Sequence, residues 1–124
     1  MKTHRDLDVY KGTVALVIEI YQKTSDFPKS EIFGLTSQIR RAGVSIAANI
    51  SEGVARGSSR DYIRFLRISF GSLSELETLV IIAAQIGYLS QDNTKKILEQ
   101  IKIITLQISN LIKAIQKRID LQKS

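Results

Sequence analysis

From Ile97 to Ile115 the chain sets Ile97, Ile101, Ile104, Ile108, Leu111 and Ile115 at alternating steps of four and three. That spacing is the seam of a helix that lies along other helices. A helix carrying it cannot stand alone in water, so the rest of the chain must supply partners. Punctuation cuts the remaining sequence into three further segments of similar length. The single Pro and seven Gly leave little material for the dense turns of an all-β protein.

The first segment, about 6–24, repeats Leu7, Tyr10, Val14, Val17 and Tyr21 at steps of three and four, which predicts the core face. Ser25 to Pro28 end it, because Pro disfavours helical geometry in the residue before it. The second, about 30–56, has Ser30 as N-cap and Glu31 in its first turn. Its apolar face reads Ile32, Leu35, Ile39, Ala42, Ile46 and Ile50. The third, about 59–86, follows Ser58, which can cap while Asp61 reaches back. Tyr62, Phe65 or Leu66, Ser69, Leu73, Leu76, Val80 and Ala83 mark its face, and Gly87 is the expected stop. The fourth, about 91–118, opens near Ser90.

Segments of this size make helices about 30 to 42 Å long. Short connections force consecutive helices to run antiparallel, so residues 1–124 are expected to form one all-α domain, an up-down-up-down four-helix bundle. Helix one also carries Val9, Leu16 and Ile20 on a different stripe, and helix four adds Leu98, Ile103, Leu106, Ile112 and Ile119. A second apolar stripe on two helices points to self-association.

Several function classes are excluded or disfavoured by residue type. The chain has no Cys, which removes thiolate zinc sites, disulfides and cysteine nucleophiles. Its one histidine, His4, lies at an expectedly mobile terminus, so neither a Ser-His pair nor a histidine metal site can be assembled. Glu52, Glu75 and Glu77 offer carboxylates, but the Glu-x-x-His pattern of di-metal bundles is missing. No enzyme activity, metal or cofactor is therefore expected. His4, Arg5, Asp6 and Asp8 break any signal-peptide core, and no run approaches the roughly 18 apolar residues that span a bilayer. A cytoplasmic setting without membrane contact is expected. The Asn49-Ile50-Ser51 acceptor pattern falls mid-helix and is discounted.

Eighteen Lys and Arg against twelve Asp and Glu give a formal charge of +6. Such a balance favours polyanionic partners. Between Gln38 and Arg67 the basic residues are all Arg: Arg40, Arg41, Arg56, Arg60, Arg64 and Arg67, against Glu52 and Asp61. Arg60, Arg64 and Arg67 follow i, i+4, i+7 and share one helical face, from which guanidiniums can track phosphates. Arg40, Arg56, Arg60, Arg64 and Arg67 are the expected contacts to RNA or DNA. The Gly57-Ser58-Ser59 loop is a weaker anion site, since Asp61 competes for its N–H groups.

A polar stripe runs along helix two: Gln38, Arg41, Ser45, Asn49 and Glu52 at steps of 3, 4, 4 and 3. Ala42, Gly43, Ala47, Ala48 and Gly53 lie among them and allow close helix approach. Polar groups so covered need partners, for which Ser69, Ser72, Glu75 and Glu77 are available. The stripe is therefore expected to set register or subunit geometry.

These residues together resemble the 23S rRNA intervening-sequence, or S23, family of bacterial four-helix bundles. Residues 6–10 (DLDVY) are similar to its opening, and 27–35 (FPKSEIFGL) to its second-helix entry. The most specific stretch is 38–53 (QIRRAGVSIAANISEG), followed by Arg56-Gly57-Ser58 and by 71–77 (GSLSELE). Ser51 stands where the pattern has Ala, and Gly43 where it has a slightly larger small residue. The resemblance implies a bundle that assembles into a homo-oligomeric ring, a pentamer. It also implies kinship with the accessory variability determinant proteins of diversity-generating retroelements, which are basic barrels associated with nucleic acid and a reverse transcriptase. Two readings follow: a sequence-independent nucleic-acid binder, or a scaffold whose Arg row meets the acids of a protein partner.

Overall fold

The computed structural model describes residues 3, 4 and 7–123. In chain order it contains α1 (Asp8–Thr24), a 3-10 turn (Lys29–Glu31), α2 (Leu35–Ala55), α3 (Ser59–Gln85) and α4 (Gln91–Lys123). Each helix packs on its neighbours in sequence, α2 and α3 most extensively, and α1 also packs on α4. The four thus close a square around one shared core, with no close backbone approach across its diagonals among the described residues. Among the described residues there is no strand, and the short connections make the bundle run up-down-up-down.

The seam of α4 is buried as its spacing requires: Ile97, Ile101, Ile104, Ile108 and Ile115 lie in the core and Leu111 packs half-buried against it. The same stripe continues to Ile119, which belongs to the core and not to the spare stripe expected from the sequence, because α4 runs on to Lys123 rather than stopping near 118. Opposite it, α3 buries Leu66, Ser69, Leu73, Leu76, Val80 and Ala83. The turn between them is set by Gly87, whose φ of +90° lets Tyr88 N–H reach Ala83 O at 2.9 Å. Ser90 Oγ then accepts from Asn93 N–H at 3.1 Å and opens α4.

Two expectations need correction. The core face of α1 is Val9, Thr13, Leu16, Ile20 and Thr24, and its three aliphatics are the stripe read from the sequence as spare. The stripe expected inside is displaced outward, with Tyr10, Val14 and Val17 half-buried and Tyr21 exposed. Two buried threonines make the real face look polar in sequence. Their hydroxyls are satisfied locally, Thr13 donating to Val9 O and Thr24 to Ile20 O, each at 2.7 Å, so burial costs little. The expected start at Asp6 lies outside the described residues.

The second correction is the start of α2. Ser30 is not its cap; after Pro28 the chain makes one 3-10 turn and the α-helix begins at Leu35. Glu31 serves as a cap from a distance, its Oε1 accepting from Leu35 N–H at 3.2 Å. A Cβ at Gly34 would sit 2.6 Å from that oxygen, so glycine there leaves room for the cap. The other oxygen, Oε2, accepts from Tyr88 O–H at 3.0 Å, and Tyr88 also packs its ring on Phe27. One carboxylate therefore ties the entry of α2 to the α3–α4 turn. Ile32 and Phe33, left outside the helix, are exposed, Phe33 to 95%.

Candidate nucleic-acid interface

The α2–α3 turn decides where the arginines go. Gly57 adopts φ +78°, a left-handed conformation that favours glycine, and the chain reverses directly after Arg56. Ser58 Oγ accepts from Asp61 N–H at 3.1 Å and caps α3. That cap takes the N–H of Asp61, just beyond the Gly57-Ser58-Ser59 loop considered above. Asp61 does not reach back to the cap; its Oδ1 turns to Arg64 instead, with contacts of 3.4 Å to Nε and 3.3 Å to NH2.

The reversal folds Arg56 over the second turn of α3. Its guanidinium carbon lies 4.9 Å from the Phe65 ring centroid, and that of Arg64 lies 4.5 Å from the same centroid. Glu52 holds Arg56 at 3.0 Å. Two of the predicted contacts are thus stacked and ion-paired, though both side chains stay about half exposed, at 47% and 57%. Arg60 and Arg67 are exposed on the same outward face. Among the described residues the only ion pairs are the two just named, so these two guanidiniums remain uncompensated.

Helix α4 adds to this end of the bundle. One groove is lined by Ser58, Ser59, Arg60, Ile119, Gln122 and Lys123. A second, of about 550 Å³, is lined by Arg67, Phe70, Gly71, Ser109, Ile112 and Lys113. Burial pushes the Tyr62 hydroxyl above its ordinary pKa while the Arg118 charge pulls it partly back, which puts Arg118 beside the first turn of α3. Over 52–67 and 113–123 eight basic residues face three acidic ones. Most of the formal +6 of the chain therefore collects at one end.

Arg40 is not part of this patch. It donates from Nε to Thr24 Oγ1 at 2.9 Å and from NH2 to Tyr21 O at 3.2 Å, and it stacks on the Tyr21 ring at 4.5 Å. The structure uses it to fasten the C-terminus of α1 to α2, where a cation also suits the helix dipole.

A family model described as 23S rRNA-intervening sequence protein matches residues 5–110. The chain belongs to that family. No curated protein matches it. Among solved structures it is similar to a protein of unknown function from the S23 ribosomal protein family of Bacteroides thetaiotaomicron, with a TM-score of 0.76 and 24% identity. That likeness covers 85% of this chain and 98% of the other, and it shows that the two share a fold.

In this intervening-sequence protein the stretch that carries the resemblance is the polar seam of α2. Ser45 Oγ and Ser72 Oγ meet at 2.9 Å across the α2–α3 interface. Asn49 Nδ2 donates to Ser45 O at 2.8 Å and to its Oγ at 3.1 Å. Buried Ser69 donates to Ile46 O at 2.9 Å, so of the four partners offered by sequence Ser72 meets the stripe itself and Ser69 the backbone beside it. Gln38 and Arg41 are exposed and line, with Ala42, Ser45, Ser72 and Glu75, an open polar cleft of about 370 Å³. Glu52 pairs outward with Arg56. The seam therefore splits into an interhelical centre and two solvent-facing ends. Among the described residues no cluster of His, Asp or Glu could hold a metal ion, and no helix is long and apolar enough to cross a membrane. His4, expected at a mobile terminus, stands edge-on to the Tyr10 ring with centroids 4.9 Å apart.

Sequence reasoning missed Phe65 as the residue that organises two of the arginines. Its ring looked like core alone, and only the turn at Gly57 brings Arg56 over it.

Proposed function

We propose that this protein is a non-enzymatic, homo-oligomeric bundle that binds RNA or DNA through its basic end, largely without sequence preference. The observation that carries this reading is the meeting of the arginine face of α3 with the basic tail of α4, leaving Arg60 and Arg67 uncompensated. Cations at one-turn spacing match a phosphate backbone, and such contacts release counterions. Arg60, Arg67, Lys113 and Lys123 are the phosphate contacts in this reading, Arg56 and Arg64 contribute from their stacked positions, and Arg40 contributes little.

Self-association is supported by the stripe that α1 turns outward. With α2 it forms a groove of about 330 Å³ whose lining, including Val14, Ile18, Val44 and Ala48, holds no charged residue. Copies of a chain with formal charge +6 repel one another, and an uncharged face is where they can pack. Ile103 and Leu106 on α4, each 56% exposed, are a further apolar patch.

The test is a binding titration against salt with a short RNA and a DNA duplex. Binding should weaken steeply with salt, and Arg60→Ala or Arg67→Ala should each flatten the log–log slope by about one unit. Absence of affinity at low salt refutes the reading. The scaffold reading draws on the apolar floor of the Arg67–Lys113 groove, suited to an acidic helix. A protein partner retained after nuclease treatment favours it.

A further inference from the structure

The arginine patch contains two kinds of guanidinium, and the difference bears on which nucleic acid it takes. Arg60 and Arg67 project from the outward face of α3 without an ion-pair partner. Arg56 and Arg64 are fixed on three counts. Each lies against the Phe65 ring, at 4.9 and 4.5 Å. Each is gripped at an edge by a carboxylate, Glu52 at 3.0 Å and Asp61 at 3.3 Å. Each is also anchored on a rigid element, at the C-cap of α2 and in the second turn of α3.

A carboxylate already at contact offsets much of what these two could offer a phosphate. What they retain is a flat, delocalised and weakly hydrated surface on the side turned from Phe65. Nucleobases stack on such planes as they do on aromatic rings. Because Phe65 and the acids already hold these planes in place, covering them with a base immobilises little that was free. Bases inside a duplex are stacked on one another and cannot make this contact.

We propose that the outer faces of Arg56 and Arg64 form a stacking platform for unpaired bases, flanked by Arg60 and Arg67 for the adjoining phosphates, so that the ligand is single-stranded nucleic acid. This rests on the nucleic-acid reading above and narrows it. The division of labour is specific: the free arginines set the salt dependence, and the stacked pair sets the response to the presence of bases.

The test compares the full-length protein on a labelled deoxyadenosine homopolymer and on an abasic strand of equal length, which has the same phosphates and no bases. Fluorescence anisotropy at fixed low salt should give roughly tenfold tighter binding to the strand that carries bases, the size expected of one or two stacked bases. Arg64→Lys keeps the charge and removes the plane; it should cut most of that preference and leave the salt slope on the abasic strand unchanged. Arg60→Lys should keep the preference. The double variant Arg56→Lys/Arg64→Lys, checked for unchanged helicity, should bind both strands equally. Equal binding of both strands by the unaltered protein overturns the platform and leaves phosphate binding standing, as does an Arg64→Lys variant with its preference intact. Failure to bind either strand overturns the platform and the broader reading together.

Discussion

Gly43 and Gly53 lie ten residues apart on α2, and replacing each by alanine should change stability in opposite directions. In a helix interior, alanine is favoured over glycine by about 1 kcal/mol, and that gain is common to both sites. The surroundings differ. A Cβ at Gly43 would meet Val17 Cγ2 at 3.5 Å and Ile20 Cδ1 at 3.6 Å, ordinary contacts with the flexible ends of side chains. Gly43→Ala should therefore stabilise by close to the full ~1 kcal/mol. At Gly53 the added carbon would lie 3.0 Å from Phe65 Cβ, 3.1 Å from Tyr62 Cδ1 and 3.3 Å from Tyr62 O. Phe65 Cβ and Tyr62 O belong to the α3 backbone or sit next to it, and they cannot retreat alone. The Ser45–Ser72 contact and the Ser69–Ile46 bond fix the spacing of α2 and α3 a few turns away. Overpacking of this kind costs about 1–3 kcal/mol. After the propensity gain, Gly53→Ala should still be destabilised, by up to about 2 kcal/mol. Thermal melts followed by circular dichroism at one fixed protomer concentration read both effects. For a domain of this size 1 kcal/mol corresponds to roughly 3–5 °C. Gly43→Ala should melt higher and Gly53→Ala lower than the unaltered chain. Two shifts of the same sign and size would show that the close α2–α3 approach does not govern the site.

Ile108→Ala, at a fully buried seam position, should cost about 2–5 kcal/mol and shift the denaturant midpoint accordingly. Ser69→Ala removes the donor to Ile46 O and should cost about 1 kcal/mol in urea unfolding. The hydrogen bond to Glu31, with burial and the Glu31 charge, raises the Tyr88 pKa above the usual 10.0. The folded state thus holds this proton more tightly than the unfolded chain, so that stabilisation is complete below the ordinary tyrosine value and declines as pH rises through the folded-state value. Tyr88→Phe should remove that alkaline decline in a pH series of urea midpoints; an unchanged decline would point to other groups.

How much of this was legible in the sequence depended on whether a helix carried one apolar stripe or two. The face of α3 stood alone, and on α4 the unbroken four-three spacing of the isoleucine seam marked it off from the further aliphatics beside it; both lie where the spacing puts them. On α1 two stripes competed, and the buried one contains Thr13 and Thr24, whose hydroxyls are hidden by bonds to carbonyls one turn earlier. Residue type gives no sign of that. The start of α2 was misplaced because Ser30-Glu31 has the composition of a cap; Glu31 does cap, but for Leu35 across a 3-10 turn. At the candidate site, the shared face of Arg60, Arg64 and Arg67 follows from helical spacing alone. The separation of free from stacked arginines does not, since it depends on the chain reversal at Gly57. Arg40 was grouped with them by residue type, and the bonds that hold it to Thr24 and Tyr21 join residues sixteen and nineteen positions apart.

The closed square of helices has an unequal perimeter. Three of its sides join consecutive helices across short turns, and only the α1–α4 side brings together distant parts of the chain. Loop-closure entropy makes that side the last to be gained during folding and the first to be lost on warming. The shortest helix sits on it, with two threonines in place of aliphatic anchors. Amide exchange in native buffer should therefore find α1 opening as a unit at a lower free energy than α2, α3 and α4, which would persist as a three-helix remnant.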